Sequence, residues 1–545
     1  MSLRSLLGLA QDDPGAARLV RDGGRAFVSA SLRPYLIAGL AESDATGLGA
    51  RPTLVVVGDD RAARELASDL RAWLSPRRVR YYPSRGVTYE SHLTPPAHLI
   101  GLRVAALDAL LAPRVSAARR DGAPAGPSPG VESEPPVVVV SAVALSEKVP
   151  DPALRPRSFT LRTGELLDLE ECAGELVAAG YERVDQVEER GQFAVRGGLL
   201  DVFPATEERA VRVDLFDVEI ESLRWFSTFT QRSLGDVQEV EIAPAAELAA
   251  EHRELAEIAA LEDAGERPDI AELLPVERFG ALLDLLDTSP GASGGQGSEG
   301  GGGPAGGGRS ETEVIVAAEE ELDPVLEDHW SDVCAAFHDA DAHHLYVSPA
   351  EVRAALGQRT RIWLSSLAAD QELQLRAQSA DTAARSLAEA EPQLEKLVRS
   401  GYRTVVTFPH RGEGERAAYN LARLKATWLG EAGGPTARTD TASGTQGAST
   451  PESAPRIAGV DVGAAPLEPS LRFAAASLRE GFIAPSLKLA VFPEHRLLRR
   501  RRAERPEASG DGRPRRGALR SFTELRTGDI VVHEDHGVAR FAGFE

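Results

Sequence analysis

GYERVDQVEERGQFAVRGGLLDVFPATEERAVRVDLFDVEIESLRWFSTFTQR, residues 180–232, decides how the middle of this chain folds. Phe193 to Arg196, Leu199 to Phe203 and Val211 to Phe216 read as strands. Gly197 and Gly198 lack side chains and permit a bulge and close approach between the first two. Alternation sends Val211, Val213 and Leu215 to one face of the third strand, and Arg212, Asp214 and Phe216 to the other. If the first set is core, Arg212 and Phe216 stand on an outer face, with Arg196 ending a neighbouring strand. Arginine and aromatic residues together are enriched in interface hot spots. A second reading stays open at this point: Phe216 packs under a helix and the arginines only pair with Asp214 or Glu219.

Working outward, a helix is expected from Glu165 to Ala179, with Leu166, Leu169, Leu176 and Val177 near one face and Gly180 as its stop. Residues 156–245 therefore read as a compact α+β domain. Upstream, the strand Thr53 to Val57, the helix Arg61 to Leu74 with Leu66, Leu70 and Leu74 on one stripe, and the strand Val137 to Val140 give an α/β layer pattern over residues 1–155. Residues 246–375 are assigned as the remainder of that module. Farther on, the strand Thr404 to Phe408, the helix Glu413 to Leu424 and the strand Leu487 to Phe492 predict a separate small α/β domain over 385–498. Residues 499–519 form an arginine-rich linker, and over 520–545 the stretch Asp529 to Phe544 alternates around a turn at Gly537, as in the start of a small β-barrel. The expected class is multidomain α/β and α+β. Asp121 to Pro136, Ser289 to Ser310, Ala432 to Pro455 and Arg499 to Arg516 lose hydrophobic periodicity and read as connections or insertions.

The chain has 545 residues, with 83 acidic against 61 basic side chains and a net charge of −22, so as a whole it repels polyanions and is no generic nucleic-acid coat. The longest apolar run, Val137 to Leu145, is far shorter than the roughly 20 residues of a membrane span. No secretory signal is read at the N-terminus, and the cytoplasm is expected. Cys172 and Cys334 are too few and too far apart for a disulfide framework or thiolate metal site.

Phosphate loops of nucleotide-driven motors need glycines and a lysine. The candidate position, Phe27 to Tyr35, has neither, so no nucleotide hydrolysis is expected from the first domain, and no catalytic residue is named. His533, Glu534, Asp535 and His536 resemble a metal set, but a strand would send the two histidines to opposite faces, which favours a turn. His338, Asp339, Asp341, His343 and His344 read as a solvated turn before a strand Leu345 to Val347. The arginine run Arg496, Arg499, Arg500, Arg501, Arg502, Arg505 and Arg513 to Arg516 reads as a solvated linker, with contact to DNA phosphates as the alternative.

The strings GQFAVRGGLLDVFP, VRVDLFDVEIESLRWF and TQRS closely resemble the module shared by the excision-repair protein UvrB and the bacterial transcription-repair coupling factors. Pro83, Val87 to Glu90 and Arg103 resemble a segment of that family's first domain. Thr527 to Phe541 resembles the start of the coupling factors' RNA-polymerase-interacting domain, related to CarD-type regulators. UvrB lacks such a domain, so the pair of signatures selects the coupling factors. The resemblance implies a degenerate UvrB-like module of RecA-type descent without its nucleotide loop. It implies that Arg196, Arg212 and Phe216 bind UvrA, and that a polymerase-binding domain begun at 520–545 would touch the RNA polymerase β subunit. It also implies a motor beyond Glu545 that takes ATP, magnesium and double-stranded DNA, so that the chain is an adaptor portion without a cofactor of its own. A UvrB-like helicase component and a CarD-type regulator are the competing readings.

Overall fold

The computed structural model describes residues 3–42, 48–49, 51–86, 95–111, 134–249, 276–286, 312–337, 342–367, 373–382, 384–429, 468–498, 530–533 and 537–540. Seven parallel strands form the first sheet, in the spatial order Gln374–Leu375, Gly24–Val28, Thr360–Ser365, Glu313–Val316, Thr53–Val57, Val137–Ser141, Val79–Tyr82. Strands from beyond residue 310 thus complete a sheet begun before residue 142, and the middle domain is inserted between them. Thr53–Val57 and Val137–Ser141 are buried at every position, as central strands with both faces covered must be. The apolar run Val137 to Leu145 splits at Ser141, whose hydroxyl accepts the Ala144 N–H at 3.0 Å and starts the helix Ala142–Ser146. Asp59 caps the helix Asp60–Leu74 by accepting the Ala62 N–H at 2.7 Å, and Leu66, Leu70 and Leu74 are buried on its inner stripe.

The inserted domain has a six-stranded sheet in the order Ser233–Val237, Glu219–Phe226, Ala210–Phe216, Leu199–Val202, Gln192–Arg196, Glu182–Arg183. Its helix is shorter than expected, Leu169–Ala178, because the Asp168 carboxylate takes the N–H groups of Glu170 and Glu171 and sets the start there. Leu166 lies before it in an isolated bridge to Glu219 and is 76% exposed, while Val177 is 48% exposed, so neither joins the buried stripe of Cys172, Ala173 and Leu176. Gly180, at φ 91°, turns the chain out of the helix.

A mixed sheet follows in the order Gln378–Ser379, Phe482–Ala484, Leu489–Pro493, Arg403–Phe408, Leu471–Ala475, Ala426–Trp428. The expected small α/β domain has this sheet and an apolar cluster of its own, and it also packs against the first module. Phe482 lies 5.3 Å from Tyr35 and 6.3 Å from Trp73, and Leu489 and Val491 belong to the same apolar cluster as the first module. The helix expected to reach Leu424 ends at Ala418, since the buried Glu391 carboxylate accepts the backbone N–H groups of Ala422, Arg423 and Leu424. The expected strand Leu345 to Val347 is only an isolated bridge between Tyr346 and Glu147.

A second unit spans residues 503–545, of which Ile530–His533 and Gly537–Arg540 are described. Ile530–His533 and Gly537–Arg540 pair antiparallel, and Gly537 opposes His533 as the first residue of the second strand rather than as the turn. Among the described residues no helix is long and apolar enough to cross a membrane. Nearly all of the four connecting stretches, Val87 to Glu90, His338 to Asp341, the arginine run beyond Leu498, and Glu534 to His536 lie outside the described residues.

Candidate interaction surface

The inserted sheet has two unlike faces. Val211, Val213, Leu200, Val202 and Phe193 are buried on the inner one with Leu176 of the helix. Cross-strand register assigns the outer one, since directly opposed residues of an antiparallel pair share a face. Arg212 opposes Asp201 on one side and Arg224 on the other, while Asp214 opposes Leu199, which in turn opposes Arg196. Phe216 stands one row farther along, opposite Glu219, and Glu219 bridges Leu166.

All three predicted site residues therefore lie on one face, in three different environments. Arg212 makes a bidentate pair with Asp201, Nε to Oδ1 at 2.7 Å and Nη2 to Oδ2 at 2.8 Å. Its Nη2 also reaches Gln231 Oε1 at 3.1 Å, and its guanidinium lies 4.6 Å from the centre of the Phe226 ring. The arginine is thus flattened onto the sheet, and its partner is Asp201 rather than Asp214 or Glu219. Asp214 is taken by Arg224 and by the Ser222 hydroxyl. Arg196 is exposed and donates from both Nε and Nη2 to the Asp185 carbonyl. Phe216 is 75% exposed, and no helix among the described residues covers it. With Leu166 at 76% and Val218 at 46%, it makes an apolar margin at the hairpin end of the face. The sequence reading missed Leu166, Val218 and Arg224 as members of this surface. Strand register, which a single sequence does not fix, brings Arg224 beside Arg212 and Leu166 beside Phe216, while Val218 follows Phe216 in the hairpin turn.

At the other candidate position, the strand Gly24–Val28 leads through a short turn, Ala30–Leu32, into the helix Arg33–Ala41. Arg33 donates to the Ser366 hydroxyl there and lies 3.8 Å from Glu320, whose carboxylate accepts the Ser366 N–H at 2.9 Å. Of the cluster around His343, both His343 and His344 lie in the short turn Ala342–His344, and the His343 Nδ1 lies 3.7 Å from Glu351 and its ring 4.9 Å from Trp330.

Residues 159–248 match the model of the UvrB interaction domain. A transcription-repair-coupling factor of Mycobacterium tuberculosis (strain CDC 1551 / Oshkosh) is 27% identical over 584 residues, covering 99% of this chain and 42% of that protein. The one from Bacillus subtilis (strain 168) is 23% identical over 526 residues, covering 91% of this chain and 40% of that protein. The one from Escherichia coli (strain K12) reaches 39% over 112 residues, 20% of this chain. The chain is a homologue of the transcription-repair-coupling factors. This coupling-factor homologue spans about two fifths of the length of the first two of those relatives. Its UvrB interaction domain is the inserted domain that bears Arg196, Arg212 and Phe216.

Proposed function

We propose that the outer face of the inserted sheet recruits UvrA in transcription-coupled nucleotide excision repair. The supporting observation is the solvent-exposed Phe216 at the edge of an arginine-bearing face, within the span that matches the UvrB interaction domain. In this reading Phe216 enters an apolar pocket on UvrA, and Arg196 with the outward part of Arg212 meets acidic groups there. The seven-stranded module acts as scaffold, since Phe27 to Tyr35 carries no phosphate-binding glycine or lysine. Residues 520–545 would contribute to contact with the RNA polymerase β subunit, and ATP, magnesium and DNA would be used by motor domains of a longer cytoplasmic protein. The test immobilises the chain and measures capture of purified UvrA. Phe216→Ala should lower capture at least tenfold, as loss of an interface anchor does. Undiminished capture, with an unchanged circular dichroism spectrum, would mean that this face is not the contact.

A further inference from the structure

A cleft of about 680 Å³ opens between the edge of the seven-stranded sheet and the inserted domain. Arg78, Val79 and Arg80 line it from the edge strand, while Thr160, Arg162, Glu239 and Glu241 line it from the Phe159–Arg162 and Glu239–Ile242 ladder. Five arginines and three glutamates face it, a local positive excess in a chain of net charge −22. Two of the three acids, Glu239 and Glu241, are already engaged. Glu241 accepts from Arg80 Nη2 at 2.8 Å and lies 3.6 Å from Arg78, and Glu239 accepts from Arg162 Nε at 3.1 Å.

Donors remain after those pairs. Arg80 Nε and Arg77 Nη2 are buried with no acceptor among the described residues, while the Arg78 and Arg162 side chains are 61% and 52% exposed. Trp225 also lines the cleft, half-buried against the core of the inserted domain, between Val211 on one neighbouring strand and Gly235, which has no side chain, on the other. Guanidinium forks match phosphate oxygens, and an aromatic face stacks on a base. The volume falls in the range of small-molecule sites.

We propose that this cleft binds a nucleotide unit, with phosphate on Arg78, Arg80 and Arg162, the base against Trp225, and Glu241 as the internal carboxylate that the phosphate displaces. The inference is independent of the UvrA reading. The unit could be a free mononucleotide or one residue of a single strand, which share this chemistry.

The test uses the full 545-residue chain, titrated with thymidine monophosphate and with a short fluorescein-labelled oligothymidylate, reading tryptophan emission and anisotropy. Saturable binding is expected, weakened about tenfold or more in Arg78→Ala/Arg162→Ala, because two charge-assisted contacts are lost. Glu241→Gln should tighten binding severalfold by freeing Arg78 and Arg80, a gain that a merely structural salt bridge would not give. Trp225→Phe should keep binding but lose the emission change. Comparable affinity for both ligands identifies a mononucleotide site, and strong preference for the oligomer a single-strand site. Equal competition by polyglutamate, no saturable binding, or an unaffected double variant with intact circular dichroism overturns the proposal.

Discussion

Arg103 Nε and Glu247 Oε1 lie 2.5 Å apart in space and their residues 144 positions apart in sequence. The same fully buried guanidinium donates Nη1 to Glu147 at 2.5 Å and to the Pro83 carbonyl at 2.8 Å, and it covers the Tyr82 ring. Arg85 also pairs with Glu247. Glu247 sits where the chain leaves the inserted domain, so this network fastens the exit of that domain to the first module and fixes how its sheet is held.

Arg103→Met should therefore cost about 3–5 kcal/mol, since it leaves Glu147 and Glu247 short of a buried partner. Burial already pushes the Glu147 carboxyl up to about 7. A folded-state value above the unfolded one means that the native protein holds the extra proton. That contribution is full at acid pH and is lost as pH rises toward about 7. Without Arg103 the loss should extend to higher pH. Urea melts at mildly acidic and mildly alkaline pH check this, and a variant as stable as the parent at both would refute the role given to the network.

Arg212 and Phe216 should separate stability from recognition. Arg212→Ala strips the partner from Asp201, which is 5% exposed, and should cost about 2–3 kcal/mol in chemical denaturation. Arg212→Lys should recover only part, because an ammonium cannot reproduce the two-point pairing. Phe216→Ala, at an open edge, should change stability by no more than about 0.5 kcal/mol. Equal destabilisation by the two alanine variants would contradict the environments described for them.

Gly101, on the buried face of the helix Ala97–Leu111, lets that helix meet the inserted domain. A Cβ there would stand 2.4 Å from the Ala205 Cβ. Gly101→Ala should lose about 1–3 kcal/mol to this overlap despite the better helix propensity of alanine. Ala205→Gly in the same chain should restore much of it, which a thermal-melt double-mutant cycle measures. Simple additivity of the two changes would show that the contact is not shared.

What was legible in the sequence follows from which forces act locally. Thr53–Val57, Val137–Ser141 and Ala210–Phe216 were readable because burial imposes a pattern on five to seven consecutive residues. The faces of Arg212 and Phe216 followed from alternation alone. Partners did not, because Asp201, Gln231 and Leu166 reach that face only through register and loop geometry. Helix ends were misjudged where a side chain competes for backbone donors, as Asp168 does before Leu169 and Glu391 does for the segment after Ala418. The packing of the small α/β sheet against the first module was hidden for a related reason. The apolar periodicity of Phe482 or Val491 says that they are buried, not against what.

Glu391 supplies the remaining test. It is 4% exposed on the helix Leu387–Arg399, and its carboxylate accepts N–H groups from Arg423 at 2.6 Å, Leu424 at 2.8 Å and Ala422 at 3.1 Å. Burial alone would raise its pKa, but these three donors, with the Arg423 charge, leave it lowered. A folded value below the unfolded one means that the unfolded chain binds the proton more readily. Glu391 therefore stabilises the fold above the ordinary carboxylate range, and the benefit is lost as pH falls through its depressed value. Glu391→Gln keeps the shape but replaces a charged acceptor by a neutral one, and it should cost about 1–3 kcal/mol at neutral pH. The gap between parent and variant should close as the solution is acidified. Urea midpoints across the acid range measure it, and a gap that stayed constant would show that the ionised carboxylate is not what holds residues 422–424.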